Sequence, residues 1–412
     1  MITEEDYGKL ENLMNAHSTM WIRILQAGKD TEQTRKIKSS MLVSDSPFAP
    51  LYCLRKDHKK FDDPVKGPPM RPVCGAVAAY NNHLSHLLSL ILQEVWKREP
   101  DVCMSTEEML QGIQSVNNLR EGTNMALGSA DVKALYPSLD IEFTVSKVCD
   151  VFCDSGIQVQ GCDVDELGLY LALQYSTNQL RDMGIINYCP KRKTHRGRPP
   201  VITGCALEEC KDKRYAPWVF PDTRPSKENE KKMFVAALRH VLMFVMRNHV
   251  YTFNDVIYRQ SKGGPIGLEL TGVLAQIFMV WWDRELKRIA TTLGLEFYMY
   301  KRYVDDINLV MRVPPPGARY LNGQLTIDND KIEEDRGRDG SERCMELVRS
   351  IADTIHHSIQ VEVDHPGNHP DGKWLYSTSR YGWKWMVREV LRLMSSCTNS
   401  IQKMSRQRRY SM

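Results

Sequence analysis

The chain has 412 residues, 42% of them hydrophobic and 26% charged, the make-up of an ordinary soluble globular protein with room for one large or two medium domains. A net charge of +4 is too small to point to nucleic acid by itself, and no apolar run is long enough to span a bilayer, so no membrane partner is expected. The opening residues Met1-Ile2-Thr3-Glu4-Glu5-Asp6 are acidic where a targeting peptide would be basic, so an intracellular protein without a signal peptide is expected. The 11 cysteines are odd in number and scattered, with Cys149 and Cys153 in apolar stretches, and read as reduced core thiols. Cys189, His195, Cys205 and Cys210 share one polar segment but lack the close Cys-x-x-Cys pair of structural zinc sites, so no metal is expected there.

Residues 1–46 read as a polar, partly helical lead-in with a weak apolar stripe at Leu10, Leu13 and Met14, closed by Pro47 and Pro50. A short basic stretch from Leu51 to Lys60 and a turn broken by Pro64, Gly67, Pro68 and Pro69 lead into Arg71-Pro72-Val73. Leu84, Leu87, Leu88, Ile91, Leu92 and Val95 fall on one face of a buried helix. Ala126 to Val132 is predicted as a short buried strand ending at Asp131, followed by helical sequence to about Asn178. Residues 191–232 lose periodicity and are expected to form a surface insertion, after which Phe234 to Met246 resumes a helical pattern. Asn254-Asp255 between two short apolar runs predicts a β-hairpin. The Gly-rich turn from Lys262 to Gly267 opens a long apolar helix, and Phe297 to Met311 is a second hairpin with Tyr303-Val304-Asp305-Asp306 at its tip.

Asp305 and Asp306 place two carboxylates in an otherwise apolar hairpin, where burial without a countercharge would cost several kcal/mol. Neighbours on a strand point to opposite faces, so only a turn lets both approach one ion. Asp131 ends a second strand, and three carboxylates from two strands can hold a pair of divalent ions. Mg²⁺ suits such an all-oxygen set, with Mn²⁺ as a substitute. Arg71 and the basic run Arg55, Lys56, Lys59 and Lys60 offer charge to a triphosphate, and Gly263, Gly264 and Gly267 would let the backbone pass close to a base pair.

Asp131-Val132-Lys133-Ala134-Leu135-Tyr136 resembles the first palm motif of reverse transcriptases, Gln260 with Gly263, Gly264 and Gly267 the second, and Tyr303-Val304-Asp305-Asp306 the third. Arg71-Pro72-Val73, with the preceding run from Leu54 to Lys59, resembles the fingers. Within that family the chain looks most like Penelope-like retroelements, relatives of telomerase reverse transcriptase, also through Tyr80 to His86 and Phe253-Asn254-Asp255. The resemblance covers residues 50–373. It implies an α/β (α+β) fold, a right-hand fingers and palm over 47–373 whose antiparallel sheet carries the aspartates. The implied function is RNA-directed DNA polymerase of a retroelement, with RNA template, DNA primer and deoxynucleotides as partners. By resemblance Asp131 and Asp305 hold two Mg²⁺ ions, the Val132 carbonyl assists and Asp306 supports. Lys56 and Arg71 meet the nucleotide, Tyr136 acts as a steric gate against the ribose 2′-hydroxyl, and Gln260 and Gly264 line the pocket. The alternatives are a truncated remnant that only binds nucleic acid and a two-metal nuclease.

Three departures stand out. Gln360 occupies the place where the family's fourth motif offers a lysine, no Leu-Asp primer grip follows Gly372-Lys373, and no thumb is recognisable in the atypical tail 374–412. Trp and Met have single codons, so Trp383 to Val387 read one base earlier must give, from Lys384 on, Glu, then Met or Val, then Asp, then Gly. With permitted codons, Trp374 to Tyr381 in that frame spell Val-Ala-Val-Leu-Asp-Leu-Lys-Val, an apolar run followed by Leu-Asp. A frameshift or mis-spliced exon near Lys373 is therefore expected. The coding DNA should read Ala-Val-Leu-Asp-Leu one base back across Leu375 to Ser379, and codons that forbid this reading would make the tail native.

Overall fold

The structure, a computed structural model, describes residues 1–26, 41–56, 67–117, 124–157, 159, 162–185 and 226–368. Lys59, Lys60, the cluster of Cys189, His195, Cys205 and Cys210, most of the expected insertion and the whole tail 374–412 lie outside the described residues. Strands in chain order are β1 (Ala49–Arg55), β2 (Met70–Cys74), β3 (Met125–Val132), β4 (Val250–Phe253), β5 (Val256–Arg259), β6 (Phe297–Tyr303), β7 (Asp306–Arg312), β8 (Ala318–Leu321), β9 (Gln324–Ile327) and β10 (Val361–Asp364). The chain divides into two compact units, Met1–Trp96 with Tyr136–Trp281, and Lys97–Leu135 with Trp282–Met412. No helix among the described residues is long and apolar enough to cross a membrane.

In the first unit, helix Glu4–Gln26 opens with Glu4, Glu5 and Asp6, which complement the positive end of its dipole. Its buried face runs through Tyr7, Met14, His17, Ser18, Trp21 and Ile24, whereas Leu13 is exposed. The expected stripe at Leu10, Leu13 and Met14 thus keeps only Met14 on the buried face. The reason is that this face is partly polar: His17 Nδ1 and the Tyr170 hydroxyl are hydrogen-bonded at 2.9 Å in the core. Burial pushes the His17 pKa down to about 3, so its ring is neutral at pH 7.

The helical run expected up to Asn178 is broken into four helices, Leu135–Ser138, Ile141–Asp154, Val164–Gln174 and Thr177–Asp182. Asp140, Asp163 and Ser176 cap the last three by accepting hydrogen bonds from first-turn amides. Ser226 caps helix Lys227–Arg247, which starts well before the expected Phe234. Its first turns are Lys, Glu and Asn and carry no apolar period for a sequence reading to detect.

The sheet of this unit has the order β2-β1-β4-β5, with β1 parallel to β4 and the other pairs antiparallel. Asn254 and Asp255 both take positive φ, 49° and 58°, the paired left-handed conformation of a two-residue hairpin turn, as the sequence predicts. Helix Asn82–Lys97 buries Leu84, Leu88, Leu92 and Val95. Its entry is fixed by polar contacts: the Tyr80 hydroxyl donates to the Asn248 carbonyl, and the Leu270 amide donates to Ser85 Oγ at 3.1 Å.

In the second unit the sheet order is β10-β3-β7-β6, antiparallel throughout. Alternation along β3 separates two faces. Toward one face, Gly128 leaves room for helix Gly340–Ile355, since a Cβ there would collide with the Met345 side chain. Toward the other, Met125 and Leu127 join Met299 and Val310 under Met109, Ile113 and Val116 of helix Thr106–Asn117.

The β8–β9 hairpin is fastened by the buried carboxylate of Asp335. It accepts from the Gly317 amide at 2.7 Å, from Arg319 at 2.8 and 3.2 Å and from Arg338 at 3.4 Å. The Arg319 guanidinium, with the Gly317 amide, holds the Asp335 pKa down at about 2. A depressed carboxyl pKa stabilises the fold above the unfolded value and loses that contribution as pH falls through the folded one. Asp335→Asn should therefore cost about 2–3 kcal/mol at pH 7. Thermal midpoints of the two proteins should converge between pH 4 and about 2, and a gap that stays constant over this range would contradict the assignment.

Candidate metal centre

Register places the acids. In the β3–β7 ladder Asp131 stands opposite Asp306, and Tyr303 of β6 stands opposite Asp306 on the other side. Directly opposed residues share a face, so Asp131, Asp306 and Tyr303 project together. Between Tyr303 and Asp306 the chain turns in two residues, Val304 and Asp305, and the Asp305 carbonyl accepts from the Val132 amide at 3.1 Å. The turn is what brings Asp305 to the same place as Asp306. One carboxylate oxygen from each of Asp131, Asp305 and Asp306 lies within 4.8 Å of the others.

None of the three carboxylates is buried, which corrects the expectation of acids inside an apolar hairpin. The hairpin's apolar residues Ile307, Leu309 and Met311 are buried further along β7, while the tip is open to solvent. What sets the cluster apart is three like charges at close range rather than burial.

On the strand at the opposite edge of β3, Glu362 is the register partner of Asp131, and it pairs with Lys133 at 3.4 Å. The Lys133 amide donates to the Gln360 carbonyl at 2.9 Å. Two residues beyond Asp306 on the same face, Asn308 is fully buried opposite Ser129, with no partner among the described residues for either amide atom. Neither Glu362 nor Asn308 stands out in the sequence, because each alone is one more polar residue in a strand.

Behind the sheet lies a buried ion pair. Arg302 alternates with Tyr303 and so points to the other face, where Arg302 and Asp283 are 0% and 2% exposed. Arg302 Nε donates to Asp283 at 2.7 Å, and the Tyr300 hydroxyl donates to its other oxygen at 2.6 Å. Burial is the largest influence on the Asp283 carboxyl and pushes its pKa up; Arg302 and the Tyr300 hydroxyl act against it. Arg302 Nη1 also donates to the Val304 carbonyl at 2.8 Å. Val304 has φ +58°, a left-handed conformation that costs a β-branched residue on the order of 1–3 kcal/mol.

The remaining expected site residues fall in the first unit. Lys56 and Arg71 share the β1–β2 ribbon, where the Lys56 amide donates to the Pro69 carbonyl at 2.9 Å and Arg71 stands opposite Leu54. Tyr136, Gln260 and Gly264 come together: the Gly264 amide donates to the Tyr136 carbonyl at 2.8 Å, and Gln260 Nε2 donates to the carbonyls of Lys262 and Gly263 at 3.0 and 3.1 Å. The Gln260 side-chain nitrogen is thus committed to the turn, and Oε1 is the atom it can offer a ligand.

The glycines answer to the protein's own packing. A Cβ at Gly263 would stand 2.5 Å from the Pro137 carbonyl oxygen, one at Gly267 would collide with the Cys74 carbonyl, and both residues have positive φ. Close approach to a base pair, expected from the sequence, is not needed to explain them.

No protein-family model matches the chain. No curated protein matches it either. Among solved structures the chain is similar to telomerase from Candida albicans in complex with a TWJ fragment of telomeric RNA, with TM-score 0.33 and 12% identity over 66% of this chain and 39% of that one. It is similar to the RNA-dependent RNA polymerase of BmCPV at quiescent state, with TM-score 0.39 and 11% identity over 86% of this chain and 24% of that one. A third likeness is to the RNA polymerase complex inside a dsRNA virus, with TM-score 0.35 and 11% identity over 86% and 24% of the two chains. The chain therefore spans about two fifths of the telomerase chain and about a quarter of each viral chain. At these TM-scores the likenesses carry no argument about activity.

Proposed function

We propose that the chain is a template-directed nucleotidyltransferase, a reverse-transcriptase-type domain that extends a DNA primer on RNA. The observation that carries this reading is the meeting of Asp131, Asp305 and Asp306, from two strands and one turn, with ligand oxygens within 4.8 Å. The donor set is all oxygen and accessible, which fits Mg²⁺, or Mn²⁺ in its place, bound jointly with phosphates. Asp131, Asp305 and Asp306, with the Val132 carbonyl, would hold two such ions, which when bound lower the pKa of a primer 3′-hydroxyl and neutralise charge on the leaving group.

In the reaction the 3′-oxygen attacks the α-phosphorus of the incoming nucleotide and its proton passes to solvent water. The bond from the α-phosphorus to the bridging oxygen breaks, and pyrophosphate leaves. The chain's own residues position and select. Lys56 and Arg71 supply positive charge for the triphosphate, Arg71 with a fork suited to phosphate oxygens. Tyr136 is fixed by the Gly264 amide on its carbonyl and, in this reading, excludes a 2′-hydroxyl by its bulk. Gln260 braces the same turn and offers Oε1 to the nucleotide. A retroelement origin of the Penelope type rests on the sequence motifs alone. Template and primer would be held through backbone phosphates, so binding should weaken with salt and tolerate sequence changes.

Primer extension on poly-rA with oligo-dT and Mg²⁺ tests the proposal. The wild-type chain should add dTMP, and Asp131→Asn or Asp305→Asn should abolish addition with the fold intact. Tyr136→Val should admit ribonucleotides with little change in deoxynucleotide use, because the discrimination is a clash rather than a lost hydrogen bond. Extension at the wild-type rate by either Asp variant would remove the catalytic centre. Shortening of the primer instead of lengthening would favour a nuclease.

A further inference from the structure

We infer that Asp283 and Arg302 are positioning residues, a buried ion pair that clamps the left-handed turn residue Val304 from behind the sheet and so aims Asp305 at the metal centre. The inference rests on the metal-centre reading of Asp131, Asp305 and Asp306 and adds residues that no sequence motif points to.

Arg302 cannot touch a substrate, since it is fully buried on the face opposite Asp131 and Asp306. Its role must be exerted through what it holds. One prong of the guanidinium is fixed by Asp283, itself fixed by the Tyr300 hydroxyl, and the other reaches the Val304 carbonyl. The backbone of Arg302 is held just as firmly. Its amide donates to the Asp101 carbonyl and its carbonyl accepts from the Cys103 amide, each at 2.8 Å, through a segment that runs alongside β6 outside the main sheet. The guanidinium therefore starts from a fixed origin and ends on the carbonyl of the residue immediately before Asp305.

Stability alone does not account for the pair. A buried ion pair loses hydration on both partners, and its replacement by apolar side chains of similar volume is often neutral or stabilising. The third bond, to Val304, is what an apolar replacement cannot supply. Val304 needs that bond because a β-branched residue avoids positive φ, and a relaxed turn would turn the next carboxylate away from Asp131 and Asp306.

The test uses the full chain carrying Asp283→Leu with Arg302→Met, which removes the clamp while filling its volume. Arg302→Lys serves as a second variant that keeps the buried charge pair but not the two-pronged reach. In metal-free protein, amide hydrogen exchange across Val304 to Ile307 should be faster in both variants, with the circular dichroism spectrum unchanged. Mn²⁺ affinity, read by electron paramagnetic resonance of the free ion, should fall about 10–100-fold, the range for residues that orient metal ligands. In primer extension kcat should fall while KM for dTTP holds. Adding Val304→Gly to the double variant should restore most of the Mn²⁺ affinity, because glycine takes positive φ without help.

Unchanged exchange and Mn²⁺ affinity in the variants, or no recovery with glycine, would overturn the inference. A wild-type chain that fails to extend primers would instead overturn the proposed function, and the exchange measurement would still decide whether Arg302 holds the turn.

Discussion

The arrangement depends on one pairing register, that of β3 with β7, which sets Asp131 opposite Asp306. Like charges directly opposed on a sheet repel, so this register is unfavourable at its end and must be imposed by the rest of the ladder. A slip by one residue would send Asp306 to the other face and bring Ile307 out among the carboxylates. What prevents the slip is the burial of Ala126, Ala130, Ile307, Leu309 and Met311 along the same two strands. Apolar packing fixes a geometry that electrostatics alone would push apart.

Each face of this sheet has a separate task. The face that carries the acids continues into an apolar cluster beneath helix Thr106–Asn117, so the carboxylates stand at the edge of a rigid floor. The reverse face is closed by helix Gly340–Ile355 against Gly128 and holds the Asp283–Arg302 pair. The charge at Arg302 is thereby kept away from solvent, while its guanidinium reaches the turn at Val304 from behind. Two of the three acids stand on strands and the third on a two-residue turn, which limits their movement more than a free loop would.

Much of this was legible in the sequence where the signal was local. The alternation from Phe297 to Met311 around Tyr303 to Asp306 gave the acid-tipped hairpin, and the apolar run Ala126 to Val132 gave the strand that carries Asp131. Asn254-Asp255 announced its turn through two residues that tolerate left-handed φ. Partnerships across the fold were not legible. Asp283 and Arg302 lie on a helix and a strand, and nothing in their spacing says that they meet. One clue was present: alternation puts Arg302 in phase with the inward side of β6, and a charge there requires a buried partner. The buried face of helix Glu4–Gln26 is hard to see in the sequence because His17 and Ser18 dilute its hydrophobic pattern. The glycines before helix Glu269–Thr292 suggested a ligand, whereas Pro137 and Cys74 are the backbones they approach.

In the proposed function Asp131, Asp305 and Asp306 form a centre for a pair of divalent cations. Anomalous diffraction from crystals soaked in Mn²⁺ tests it most directly, without reliance on any assay of synthesis. Two peaks are expected, bounded by these three carboxylates and about 3.5–4 Å apart, the spacing of paired-metal sites. Asp305→Asn should lose at least one of them. Mn²⁺ found elsewhere on the chain with no density among the three acids would rule out a metal centre there.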